Sequence, residues 1–166
     1  MEILIREVQS GDIGALTRIW NDIIQTGAYS ALDTPLTFDD ESNYLAGLAP
    51  RGFCHVAEDS HSHQVVGFQN VETFATYTHA FDHVAVIGTC IDLSRRRSGI
   101  GSLLTQASVE RAWGMRYEKL FTYVRADNKA ALHFYRRLGF AEVGTARKHA
   151  KIRDTYIDSI YLEMFL

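Results

Sequence analysis

Prolines are scarce in this chain, two in 166 residues, and cysteines are equally few. There is no Pro-, Ser- or Gly-rich tract to act as a linker and no internal repeat. The length suits one domain, 1–166, with a sizeable core. Two cysteines exclude a disulfide scaffold. Cys54 and Cys90 sit inside apolar runs and read as reduced core residues of a cytoplasmic protein. No apolar stretch nears the roughly 18 residues of a membrane helix. Residues 1–6 lack a signal-segment layout, so no membrane partner is expected. A basic excess is also missing: the net charge is −3, which speaks against a nucleic-acid partner. His61 and His63 share a polar turn with no patterned cysteine or carboxylate cluster, so no metal is expected.

The charge that is present is unevenly placed. Residues 1–50 carry eight acidic and two basic side chains, and residues 51–166 carry twelve acidic and fifteen basic. A basic C-terminal part suits a polyanionic cofactor, and an acidic N-terminal part suits a cationic amine. Asp39, Asp40 and Glu41 crowd the start of a helix, where they complement its dipole.

Hydrophobic periodicity gives the element order. Strands are expected at 3–8, 53–57, 65–74, 83–91, 119–124, 140–147 and 156–165. Helices are expected at 13–26, after 37, at 99–114 and at 129–138. The last two strands are joined by a charged loop. The class is α/β or α+β, a mixed sheet with helices on both faces.

Arg95-Arg-Arg-Ser-Gly-Ile-Gly101 lies between the strand at 83–91 and a helix. A strand, a basic turn bearing glycines and a helix N-terminus together make an anion cradle, because the first N–H groups of a helix lack carbonyl partners. A dinucleotide fingerprint would need a third glycine where Leu104 stands, and no Gly-Lys-Ser/Thr run completes a Walker loop. What remains is Arg96-x-x-Gly99-x-Gly101. One strand later comes Asn128-x-x-Ala131-x-x-Phe134-Tyr135-x-x-x-Gly139-Phe140.

These two motifs, in this order, resemble the GNAT superfamily of N-acetyltransferases, and the whole layout is nearest to phosphinothricin-type acetyltransferases. The resemblance implies a mostly antiparallel seven-stranded sheet whose two central parallel strands splay apart. It implies acetyl-CoA as co-substrate. Arg96, Arg97, Ser98, Gly99, Ile100, Gly101 and Ser102 would hold the pyrophosphate. Thr89, Cys90 and Ile91 would pair with the pantetheine arm like an added strand, and Asn128 would bond the cofactor. Tyr135 would protonate the departing thiolate.

The amine must be neutral to attack, so a base is wanted. The strand at 83–91 contains no acid, which leaves Glu72 and His83 as candidates. The acceptor pocket is expected between residues 27–38, the loop 75–83 and the loop 148–156, the last from this chain or from a partner chain in a homodimer. Tyr29, Phe38 and Tyr77 would be its apolar walls. The expected acceptor is a small amine or amino-acid-like molecule, with a protein N-terminus or lysine as the second choice. The contrasting class is a protein that binds CoA and catalyses nothing.

Overall fold

The computed structural model describes residues 2–166. Seven strands form one sheet: β1 Ile3–Glu7, β2 Phe53–Asp59, β3 Val65–Thr73, β4 Val84–Ile91, β5 Lys119–Arg125, β6 Ala141–Ile152 and β7 Thr155–Phe165. Their spatial order is β1-β2-β3-β4-β5-β7-β6. Every neighbouring pair is antiparallel except β4 and β5. The helices are α1 Ile13–Thr26, α2 Phe38–Ala46, α3 Ile100–Gly114 and α4 Lys129–Arg137. Among the described residues, no helix is long and apolar enough to cross a membrane, and no group of three or more metal-ligating side chains is found.

The element order matches the periodicity, and strand alternation sorts the core. Side chains at even positions of β2, Cys54 and Val56, meet Leu16, Ile19 and Ile23 of α1, together with Phe68 and Cys90. Ala57 and Val66 point the other way and pack on Ile100 and Leu104 of α3. Leu132 and Tyr135 of α4 pack on Leu120, Val124 and Leu162. Each fully buried Leu or Ile contributes about 1.5–3 kcal/mol relative to exposure, so these apolar stripes fix which helix covers which face. α1 ends at Gly27, whose φ of 65° is the left-handed cap.

Two boundaries differ from the sequence expectation. The charged loop of the last hairpin is shorter than expected: β6 runs on to Ile152, and only Arg153 and Asp154 turn, both at positive φ. Residues 148–152 and 155–156 are therefore strand. Lys148, also at positive φ, sits in the stretch where the β6–β7 register shifts. The expected helix after 37 is short and stops at Ala46, before Pro50.

Candidate active site

β4 and β5 pair only at Val84 with Lys119, Ala85 with Leu120 and Val86 with Phe121. Beyond Val86 the two strands separate. The Asp92 N–H bonds Val66 O on β3, while the His83 carbonyl accepts from Lys119 N on the β5 side. Since backbone groups alternate along a strand, Ile87, Thr89 and Ile91 turn theirs toward β5, into the gap. This leaves a strand edge able to pair with an extended molecule.

α3 starts at the far end of that edge. Gly99 is its N-cap at φ 84°, a conformation that favours glycine. Ser102 N and Leu103 N bond back to Gly99 O, so Ile100 and Gly101 carry the unanchored N–H groups of the first turn. Gly101 is required for a different reason from the one its motif suggests. A Cβ there would lie 2.8 Å from Phe134 Cε2, so the glycine lets α3 and α4 approach each other. Arg96 and Arg97 flank the turn, Arg97 exposed and at positive φ, and Ser98 Oγ donates to Arg95 O. Asp92 stiffens the approach by capping the turn at 93–95 through Ser94 N at 2.9 Å and by pairing with Arg18 at 2.8 Å.

Tyr135 reaches the gap from α4. Its hydroxyl is 3.0 Å from Thr89 Oγ1, and the Thr122 side chain and Thr89 N–H also interact with it. Burial holds this phenol above its ordinary value, so it stays protonated and can donate. Gln69 Nε2 donates to both Thr89 Oγ1, at 2.7 Å, and Thr105 Oγ1, at 2.9 Å. A hydrogen-bonded series, buried except at the half-buried Thr89, therefore runs from α4 through β4 and β3 to α3. Cys90 faces the opposite side, toward α1, and is buried. Asn128 caps α4 by accepting from Ala131 N at 3.1 Å, and its Nδ2 donates to Tyr29 O at 3.3 Å.

The other candidates scatter. The Tyr29 ring lies under the Arg96 guanidinium, 3.9 Å from ring centroid to Cζ, so it stands by the anion loop. Phe38 and Tyr77 are exposed, at 53% and 83%, and no ring contact joins either to Tyr29 among the described residues. His83 is exposed at the start of β4, six residues from Thr89, or about 20 Å along a strand. Glu72 lies on the α1–α2 side, where its Oε1 accepts from Tyr44 Oη at 2.5 Å and Asn70 Nδ2 at 2.9 Å. A pocket of about 300 Å³ opens there, lined by Asn43, Tyr44, Leu48, Glu72, Thr73 and Thr76.

Three contributors carry no sequence signal of their own. Gln69 and Thr122 read as ordinary strand residues. Arg125 reads as a strand-end cation, yet its Nη1 donates to Gly27 O and Ser30 O and ties the α1–α2 connection to the gap.

Residues 17–140 match the family model described as the acetyltransferase (GNAT) family. The chain is 28% identical over 140 residues to YwnH of Bacillus subtilis strain 168, provisionally named a phosphinothricin acetyltransferase. That match covers 84% of this chain and 85% of YwnH. It is 32% identical over 82 residues to the L-amino acid N-acetyltransferase AaaT of Escherichia coli strain K12, covering 48% of this chain and 50% of AaaT. The fold superposes with a TM-score of 0.91, at 18% identity, on the phosphinothricin acetyltransferase (Pat) of Sinorhizobium meliloti in complex with acetyl-CoA. All of this chain and 89% of that one are covered, and at this identity the likeness is one of fold.

Proposed function

The chain belongs to the acetyltransferase (GNAT) family, with acetyl-CoA as co-substrate, and on that premise we propose that it acetylates the primary amine of a small amino-acid-like acceptor by direct attack while both substrates are bound. The observation that carries this reading is the β4–β5 gap, with Tyr135 inside it and the α3 N-terminus at its end.

The residues present fit acetyl-CoA. The β4 edge at the Thr89 carbonyl and at Ile91 can hydrogen-bond the amides of the pantetheine arm. The N–H groups of Ile100 and Gly101, with Arg96, suit the pyrophosphate. The co-substrate supplies the activated acetyl group, and the chain supplies placement, a donor for the thioester oxygen and a proton for the leaving sulfur. The Ile91 N–H is one such donor by direction. Tyr135, neutral and buried, is the proton source for the thiolate. Holding two reactants together makes a bimolecular step effectively unimolecular, worth roughly 7–11 kcal/mol in favourable cases.

The small acceptor rests on the names of the relatives, one an L-amino acid acetyltransferase, and on the modest pocket beside Glu72. A cytoplasmic location is proposed from the two free, buried thiols. The test is CoA release with acetyl-CoA and a panel of L-amino acids, phosphinothricin, benzylamine and short peptides. Turnover with small acceptors is expected. Turnover with peptides alone would point to a protein acceptor, and tight CoA binding without turnover would point to a sensor.

A further inference from the structure

Glu41 is the one acid of the Asp39-Asp40-Glu41 run that is buried. It is 2% exposed, whereas Asp39 and Asp40 lie on the surface and Asp40 completes a capping box with Thr37. Neither Glu41 oxygen has a hydrogen bond or ion pair among the described residues, and Oε1 is fully buried. An unpaired buried carboxyl is costly, and a neutral side chain of the same shape would hold this helix better.

Its position follows from its neighbours. Residues three and four apart share a helix face, so Glu41 lies with Tyr44 and Leu45. Leu45 packs against the α1 core, and the Tyr44 hydroxyl bonds Asn70 and Glu72 on β3. Burial first, and the Glu41 charge after it, raise the thiols of Cys54 on β2 and Cys90 on β4. Cys54, Asn70 and Gly88 form one row across the sheet, and Cys90 follows Gly88 on the same face of β4. The carboxyl therefore lies on the α1–α2 face of the sheet, on the side of Cys54, Asn70 and Cys90, and Cys90 stands between the gap-facing Thr89 and Ile91 of β4. Gly88 has no side chain there, and the Asn70 amide lies over it, its Oδ1 2.8 Å from where a Cβ would be. The pocket beside Tyr44 and Glu72 lies one turn further along α2.

We propose that Glu41 receives the acceptor's ammonium group and takes its proton before the nitrogen attacks the thioester. This rests on the acetyltransferase reading above. An ammonium is the partner this carboxyl lacks, and it is the form in which an amine arrives at neutral pH. Glu41 removes one proton. The nitrogen lone pair then forms the C–N bond, and collapse of the adduct breaks the C–S bond. Tyr135 protonates the sulfur, the nitrogen's second proton restores Tyr135, and Glu41 returns its own to water. Burial pushes the Glu41 carboxyl up to about 7, near the pH at which it must work. The titratable groups that face it are Tyr44 on its own helix, Cys54, Cys90 and, through Tyr44, Glu72. α1 offers it Leu16, Ile19 and Ile23, which are apolar.

The test uses Glu41→Gln and Glu72→Gln in the full chain, with wild type for reference. The acceptor is whichever member of the amine panel wild type turns over. Acetyl-CoA affinity by calorimetry, thermal unfolding and kcat/KM for the amine against pH are measured. Glu41→Gln is expected to stay folded, keep acetyl-CoA affinity within about two-fold, and lose on the order of 100-fold or more in kcat/KM. It should also lose the acid limb near pH 7 that wild type shows. Glu72→Gln should keep that limb. If wild type turns over the amine and Glu41→Gln matches it in rate and pH profile, this inference fails and the acetyltransferase reading stands. If wild type acetylates no amine, both fail. If Glu41→Gln does not fold, Glu41→Asp decides: the acid limb must persist with a reduced rate, and an unaltered rate overturns the proposal.

Discussion

On the α3–α4 side of β4, polar side chains are tied together: Tyr135 to Thr89, Thr89 to Gln69, Gln69 to Thr105, and Thr105 Oγ1 to Gly101 O. On the α1–α2 side, Glu41 is equally buried and tied to nothing. The first arrangement holds a donor hydroxyl in place, since each bond restricts the next group. The second keeps a carboxyl away from competing partners, at a cost in stability. β4 thus has a fixed hydroxyl from α4 on one side and an unpaired carboxyl from α2 on the other. That asymmetry suits a reaction which delivers a proton to sulfur and removes one from nitrogen.

The strongest way to break this comparison is to remove the fixed hydroxyl. Tyr135→Phe keeps the ring packed against Phe134 and Phe140 but deletes the proton. Its kcat for CoA release should fall about 100-fold or more with KM for acetyl-CoA little changed. An unaltered kcat would remove Tyr135 from the chemistry.

Stability against pH sharpens the other side. Because the folded state holds the Glu41 proton up to about pH 7 while the unfolded chain releases it near 4.5, this group's penalty is absent at low pH. The penalty grows between those values and is complete above them, reaching roughly 3 kcal/mol. Glu41→Gln should lack that decline, so it should be the more stable protein at pH 8 and gain nothing at pH 4. Denaturant unfolding of both proteins at the two pH values would show it, and parallel curves would contradict it.

Two smaller effects concern the anion loop. Gly101→Ala forces a Cβ onto Phe134 and should cost about 1–3 kcal/mol in thermal or denaturant unfolding. A neutral result would mean that the two helices can shift apart. Arg96→Ala should weaken acetyl-CoA binding about tenfold in calorimetry while leaving the fold intact. It would also free Tyr29 from its cation–π contact.

The sequence made some of this plain and hid the rest, according to how local each feature is. The 96–101 loop and the Asn128–Phe140 segment are contiguous, so residue chemistry reads the first as an anion cradle, and the resemblance to the GNAT superfamily singles out Tyr135 in the second. The order of elements along the chain followed for the same reason, from periodicity within single segments. The contact of Tyr29 with Arg96 is not legible in the sequence, because the two lie 67 positions apart. β6 was cut short because its last residues alternate too weakly on an exposed edge strand. Gly101 was legible as required, but its reason lies on another helix. Glu41 looked like its neighbours Asp39 and Asp40, a dipole-complementing acid. Only the packing of α2 on the sheet separates it from them.

The account depends most on the free edge of β4. Amide hydrogen exchange read residue by residue, with and without saturating acetyl-CoA, examines that edge directly. Protection should rise at Ile91 on β4 and at Ile100 and Gly101 of α3, with little change on β1 or β6. Tight binding with no change at Ile91 would contradict the assignment of the β4–β5 gap to the co-substrate.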